Sequence, residues 1–235
     1  MKAKAWLSWS SGKDSAWALH MMRSQDEYQI TGLLTTINSA FDRVAMHSTR
    51  RALVEAQAHA AGLPLVAVPL PWPCSNAEYE RIMAGICEQA VNEGVSAVVF
   101  GDIFLEDIRA YRERQLQNTG LQPLFPLWKI PTRDLAREMI DAGLKAKLVC
   151  VDPAKLAPEF VGRDFDRQLL ADLPPQVDPC GENGEFHSFV YGGPMFDHEI
   201  PIVSGERVKR DGFWFCDLLP AEAGAQLAAT EDLGR

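Results

Sequence analysis

Ser10-Ser11-Gly12-Lys13-Asp14-Ser15 follows directly on Ala3-Lys4-Ala5-Trp6-Leu7-Ser8-Trp9, and the way this junction folds decides the architecture. A short, largely apolar run gives way to small residues and then to a helical pattern from Asp14 to Met22, the order expected of strand, tight loop and helix N-terminus. Such a turn leaves backbone N–H groups unpaired and pointing outward, with the positive end of the helix dipole behind them. That makes it a candidate seat for phosphate. Gly12 lets backbone approach an anion, and Ser10 and Ser15 add hydroxyl donors. Lys13 contributes a mobile positive charge, Asp14 can hold a magnesium ion that bridges phosphate oxygens, and Ser11 completes the loop. A Walker A loop is excluded, because Leu7 and Asp14 stand where that motif requires Gly and Ser or Thr.

Working outward, 235 residues provide for one large domain or two modest ones. A hydrophobic content of 47% with 23% charged residues is that of a soluble globular chain. The net charge of −9 argues against broad, sequence-independent binding to nucleic acid, which depends on Lys and Arg neutralising phosphates. Cys74, Cys87, Cys150, Cys180 and Cys216 form no CxxC pair, and their odd number and wide spacing suit a reducing, cytoplasmic compartment. The polar residues from Ser8 to Asp14 come too soon after Lys2 and Lys4 for a signal peptide. No apolar run approaches the ~18 residues a membrane span needs.

Downstream, Gln29–Ile37, Leu65–Leu70 and Val95–Phe100 read as strands. They alternate with helical patterns over Thr49–Ala61, capped by Ser48, and over Asn76–Asn92, where Tyr79, Ile82, Met83, Ile86 and Ala90 share a face. This alternation predicts a parallel sheet covered by helices on both faces. Ligands of such sheets bind beyond the carboxyl ends of the strands. The first loop, Thr35-Thr36 and Gly101-Asp102 all lie at that edge, with Gly101 able to receive an adenine ring and Asp102 a metal or a ribose hydroxyl.

The segment Glu106–Arg114 carries both charge signs. Pairs such as Glu106 with Arg109 and Arg109 with Glu113 would make a solvated helix face. Arg109 and Arg112 also share a face suited to clamping a polyanion. Leu124–Trp128 reads as a last edge strand or a crossover. The pattern changes at Pro131: Thr132 caps a helix to Ala142, Lys147–Val151 forms a strand, and Asp164–Leu173 a short helix. The expected domains are 1–130, a smaller α/β unit at 131–220, and a tail at 221–235.

A second constellation is Asp178-Pro179-Cys180-Gly181-Glu182-Asn183-Gly184-Glu185-Phe186-His187-Ser188. Gly181 and Gly184 suggest a loop that lets backbone approach a ligand. Glu182, Glu185 and His187 can orient a substrate amine or carboxylate or move a proton, and Glu185 and His187 share a face if the segment is a strand. Cys180, Glu185 and His187 lack a recognised zinc-site spacing.

With both stretches in view, the chain resembles the diphthine–ammonia ligase family of N-type ATP pyrophosphatases. The resemblance rests on Ser10–Ser15, similar to the SGGxDS loop with Ser11 in place of a Gly. It extends through Met46-His47-Ser48 to Gln57, Gly101-Asp102-Ile103 to Arg114, Pro126-Leu127-Trp128 and Cys180–His187. It implies a HUP-type, Rossmann-like α/β domain and a smaller substrate domain. The implied reaction adenylates a carboxylate with ATP and Mg2+, releases pyrophosphate, and transfers ammonia to the acyl adenylate. Ser10, Ser11, Gly12, Lys13, Asp14, Ser15, Thr35, Gly101, Asp102 and Arg112 would bind the nucleotide, with Asp14 and Asp102 on the metal. Lys13, Asp14, Glu182, Glu185 and His187 would carry the catalysis. Diphthine on elongation factor 2 or an unknown small molecule is the implied acyl substrate, with a homodimer left open. A tRNA-modifying ATP pyrophosphatase and a nucleotide sensor without turnover are the alternatives at this point.

Overall fold

The computed structural model describes residues 2–44 and 49–221. The Ser48 cap, the Met46-His47-Ser48 motif and the tail beyond Ala221 lie outside them. In chain order, β1 (Ala3–Ser8), α1 (Lys13–Gln25), β2 (Tyr28–Asn38), β3 (Arg43–Val44), α2 (Arg51–Ala60) and β4 (Leu65–Leu70) are followed by α3 (Asn76–Asn92), β5 (Val95–Val99), α4 (Glu106–Leu116) and β6 (Gln122–Leu124). Then come α5 (Thr132–Asp141), β7 (Lys145–Val151), α6 (Arg167–Asp172), β8 (Phe186–Gly192), β9 (Ile202–Arg210) and β10 (Phe213–Pro220).

The expected Rossmann-like sheet is present. β1 lies between β2 and β5, both parallel to it, with Leu7 opposite Leu33 on one side and Val99 on the other. β4 joins β2 and β6 joins β5 in parallel, and only the two-residue β3 runs antiparallel. Side chains alternate across a strand, so the run Ala5-Trp6-Leu7 feeds both faces of the sheet. Ala5 and Leu7 enter a core with α1 and α2, while Trp6 enters a second core with Val98 and the apolar side of α3. An uninterrupted apolar strand is what a sheet covered on both faces requires.

The second sheet is antiparallel throughout, in the order β8-β7-β10-β9. Its Leu148, Phe186 and Phe189 share the larger core with Leu7 and Trp17. One continuous apolar interior therefore joins the two sheets and holds β8 against the N-terminus of α1.

Several expected boundaries move. α2 starts at Arg51, after an Arg50 that makes no side-chain cap, and the Thr49 hydroxyl before it is engaged with Ser11 Oγ at 2.9 Å. Thr132 is the first residue of α5 rather than its cap, and its hydroxyl donates instead to Asp178 at 2.6 Å. The last strand of the first sheet is Gln122–Leu124, not Leu124–Trp128. Pro123 is tolerated there because β6 has a neighbour on one side alone. The helix expected at Asp164–Leu173 begins only at Arg167, where the Asp166 carboxylate accepts from the Leu169 N–H at 2.7 Å. Glu106 pairs with Lys129 rather than Arg109, whereas the expected Arg109–Glu113 pair is present at 2.8 Å.

Gly101, expected to receive an adenine ring, lines the candidate cavity and also makes a close backbone approach. A Cβ built on it would fall 2.8 Å from the Asp14 carbonyl carbon and 2.9 Å from the Ser15 nitrogen. The end of β5 thus packs directly on the first turn of α1. Gly101→Ala is expected to lower the unfolding free energy by about 1–3 kcal/mol, read as a fall in the urea midpoint. An unchanged midpoint would contradict this backbone contact.

Candidate active site

The loop between β1 and α1 turns through Ser11, whose φ is +71°. This left-handed geometry favours glycine, and here a serine is held in it from both sides. The Ser11 carbonyl accepts from Gln57 Nε2 and from the Val190 N–H, each at 3.0 Å. The loop amides are not bare, contrary to expectation. The Ser10 N–H reaches Ser15 Oγ at 3.3 Å, the Gly12 N–H reaches Ser10 Oγ at 3.3 Å, and the Lys13 N–H reaches Ser188 Oγ at 3.1 Å. Each acceptor is a neutral hydroxyl, which an anion with more negative oxygens can displace.

Lys13 is not the mobile charge anticipated. Its side chain is 3% exposed. The ammonium donates to both Asp14 carboxylate oxygens, at 2.8 and 3.0 Å, and to the Cys180 carbonyl. It also sits over the rings of Phe165 and Phe186. Burial opposes its charge, but Asp14 and Glu182 outweigh burial and hold its pKa above the usual lysine value. Burial raises the pKa of Asp14 in turn, and Lys13 pulls it back.

The first loop and the Cys180–Ser188 loop close on one cavity of about 240 Å3. Ser10, Gly12, Lys13, Asp14, Ser15, Gly101, Asp102, Arg112, Glu182 and His187 all line it. Neither Asp102 Oδ2 nor Arg112 Nε has a hydrogen-bond partner among the described residues, and the two atoms stand 3.9 Å apart. Burial raises the Asp102 pKa; Arg112 lowers it and Asp14 adds to the rise.

Glu182 spans the two halves of the molecule. Its carboxylate accepts from the Ile103 N–H at 2.9 Å, just beyond Asp102. Burial pushes its pKa up to about 7. Burial, with Lys13 adding to it, pushes His187 down to about 4, which leaves a neutral imidazole at pH 7.

Three expected residues stand apart from this cavity. Ser11 lies behind the loop. Glu185 is 3% exposed and accepts from the Asp178 N–H at 3.0 Å and Asn183 Nδ2 at 3.2 Å, so it braces the second loop from within. It precedes β8, so the face-sharing with His187 expected of a strand does not arise. Thr35 lines a larger, neighbouring cavity of about 730 Å3 between the sheet, α3 and α4. Its hydroxyl is buried without a partner among the described residues. The two cavities meet at Ser8, Ser10, Phe100 and Arg112.

From sequence, Ser188 and Gln57 are named only as the ends of longer stretches, and neither is given a role. Ser188 was visible as the last residue of the second constellation. Gln57 had a fainter signal, a polar side chain on the apolar face formed by Leu53, Val54, Ala58 and Ala61. Burial pushes the Cys180 thiol pKa up, which disfavours the thiolate a nucleophile needs.

The fold defines the class: a Rossmann-like α/β protein with a second, antiparallel sheet, whose donors at the strand ends are of the kind such proteins turn toward phosphate. Two family models match the chain, the diphthamide synthase N-terminal domain over residues 1–123 and the diphthamide synthase C-terminal domain over residues 131–220. The chain belongs to the diphthamide synthase family. Among curated relatives, the diphthine–ammonia ligase of Homo sapiens is 30% identical over 140 residues, covering 57% of this chain and 52% of the relative. That of Bos taurus is 29% identical over 145 residues, 60% and 54% of the two chains. That of Schizosaccharomyces pombe is 28% identical over 128 residues, 53% and 21% of the two chains. The matched region is about half the length of the mammalian relatives and about a fifth of the yeast one.

The raised pKa of Glu182 has a consequence for stability. The folded protein retains a proton there that an unfolded chain, with a carboxyl near 4.5, has already released. Its contribution is therefore fully present below pH 4.5 and is lost as pH rises through about 7. Across that window the melting temperature of the wild type should fall relative to that of Glu182→Gln. Parallel pH profiles would contradict the assignment.

Proposed function

We propose that this protein is an AMP-forming amide ligase, in which a carboxylate oxygen attacks the α-phosphorus of ATP and pyrophosphate departs. Ammonia then attacks the acyl carbon of the adenylate, AMP leaves, and the surplus proton on nitrogen is taken up by the protein. Adenylation is needed because a carboxylate is a poor electrophile with a poor leaving group. The observation that carries the proposal is the convergence of the Ser10–Ser15 loop and the Cys180–Ser188 loop on one polar cavity. The names of the curated relatives support it.

In this scheme Ser10, Gly12 and Ser15 donate to the departing pyrophosphate, and the work is positioning and electrostatics. Lys13 keeps the cavity positive at its inner wall. Arg112, whose Nε has no hydrogen-bond partner among the described residues and faces Asp102 Oδ2 at 3.9 Å, would meet phosphate or the reacting carboxylate where the two cavities join. The neutral imidazole of His187 is a base for the amine proton. Thr35 and the larger cavity are assigned to the nucleoside. Glu185 supports Glu182 and His187 by shaping their loop rather than by touching substrate.

The site suits Mg2+ in donor chemistry. Asp14 and Asp102 present hard carboxylate oxygens to one cavity, and Asp102 Oδ2 is buried without a hydrogen-bond partner among the described residues. No cluster of three metal-ligating side chains occurs among the described residues, so phosphate and water oxygens would complete the shell. A bound ion would supply charge neutralisation on the phosphates.

The acyl substrate in this proposal is diphthine on elongation factor 2 or a small carboxylate. In this reading the domains divide near residue 130, a partition that the gap between the two matched segments supports. All five cysteines are unpaired, in keeping with a cytoplasmic setting, and no described helix is long and apolar enough to cross a membrane.

Incubation with ATP, Mg2+, ammonium and candidate carboxylates should release AMP and pyrophosphate in equal amounts. ATP returned unchanged with every carboxylate would overturn the proposal. Asp14→Asn should reduce pyrophosphate release by about a hundredfold or more, and a variant that keeps the wild-type rate would remove Asp14 from the mechanism.

A further inference from the structure

We infer that Gln57 is a positioning residue for the phosphate site, acting through the orientation of a single peptide group. The inference rests on the proposed phosphate seat and goes beyond it. Gln57 lies on α2 with no exposed surface. Its amide is engaged at both ends: Oε1 accepts from Trp9 Nε1 at 2.8 Å, and Nε2 donates to the Ser11 carbonyl at 3.0 Å and the Val190 carbonyl at 2.7 Å. One side chain thus touches the end of β1, the strained turn and β8 of the second sheet.

The peptide between Ser11 and Gly12 is planar and trans, so its C=O and N–H point in opposite directions. Gln57 and the Val190 N–H draw the Ser11 carbonyl inward. The Gly12 N–H is thereby turned outward, to Ser10 Oγ at 3.3 Å, on the wall of the 240 Å3 cavity. Ser11 holds a φ of +71°, which costs a non-glycine residue energy, and the two hydrogen bonds on its carbonyl offset that cost. Without Gln57 the Ser11 carbonyl keeps only the Val190 N–H, the peptide is less firmly held, and rotation directs a carbonyl oxygen toward the anion in place of a donor.

The effect should be confined to the phosphate end of the ligand. Gln57→Met keeps a comparable volume while deleting both donors and the acceptor. Calorimetric titration with pyrophosphate should show affinity weakened tenfold or more, whereas titration with adenosine should be unchanged. Wild-type pyrophosphate binding that persists in Gln57→Met overturns the inference alone, and equal losses for pyrophosphate and adenosine overturn it in favour of a purely structural role. A wild-type protein that binds no pyrophosphate overturns the phosphate-site reading and this inference with it.

Gln57→Glu keeps the test open if the Met variant does not fold. Protonated, the isosteric acid retains one donor for the Ser11 carbonyl; ionised, it repels that carbonyl. Its pyrophosphate affinity, followed while circular dichroism reports the fold intact, should recover relative to wild type from mildly alkaline to mildly acidic pH. A ratio to wild type that does not change with pH overturns the inference.

Discussion

A buried ammonium is the constraint around which the two sheets are assembled. Lys13 stands at the first turn of α1, where its charge is far from bulk water, and its ligands come from both sides: the Asp14 carboxylate beside it and the Cys180 carbonyl from the second loop. Removing one partner from such a group costs about 3–5 kcal/mol, because an uncompensated charge remains in the interior. The second loop therefore has to lie where its carbonyl meets Lys13. With that contact made, Ser188 reaches the Lys13 N–H and Val190 reaches Ser11.

The same charge organises the electrostatics of the cavity. Lys13 adds to the burial that keeps His187 neutral, and it partly counters the burial that raises Glu182. Asp14, with 28% of its side chain exposed, and Asp102 bring two carboxylates to the same space, and Asp14 adds to the burial that disfavours ionisation of Asp102. The cavity thus combines a fixed positive wall, carboxylates with unfilled acceptor capacity and a neutral base. In the proposed ligase chemistry these serve phosphate, metal and proton in turn, without any one residue changing place.

Much of the Rossmann-like half was legible from local pattern. The apolar run before Ser8, the small residues after it and the alternation of β-branched runs with helical faces report burial on two sides, and burial is what makes a parallel sheet. Boundaries shifted where a side chain was engaged by a distant partner, as Thr132, which looked like a cap, is by Asp178, and Thr49, which looked like the first residue of its helix, is by Ser11. The antiparallel order of the second sheet was not legible, since β8 pairs with β7 across 34 residues that carry no mark of their register.

The sequence by itself determined the strand, loop and helix order around Ser10–Ser15, the polar loop from Cys180 to Ser188 and the family resemblance they carry together. These depend on residue type and short spacing, which act locally. Only the tertiary structure decided which way the groups face: Lys13 inward rather than out, Glu185 into its own loop rather than the cavity, Gly101 packed closely on the first turn of α1. It alone revealed Gln57 behind the phosphate loop. Orientation is settled by partners far apart in the chain, through burial that makes every unpaired charge or amide costly, and that cost exists only once the two sheets have closed on each other.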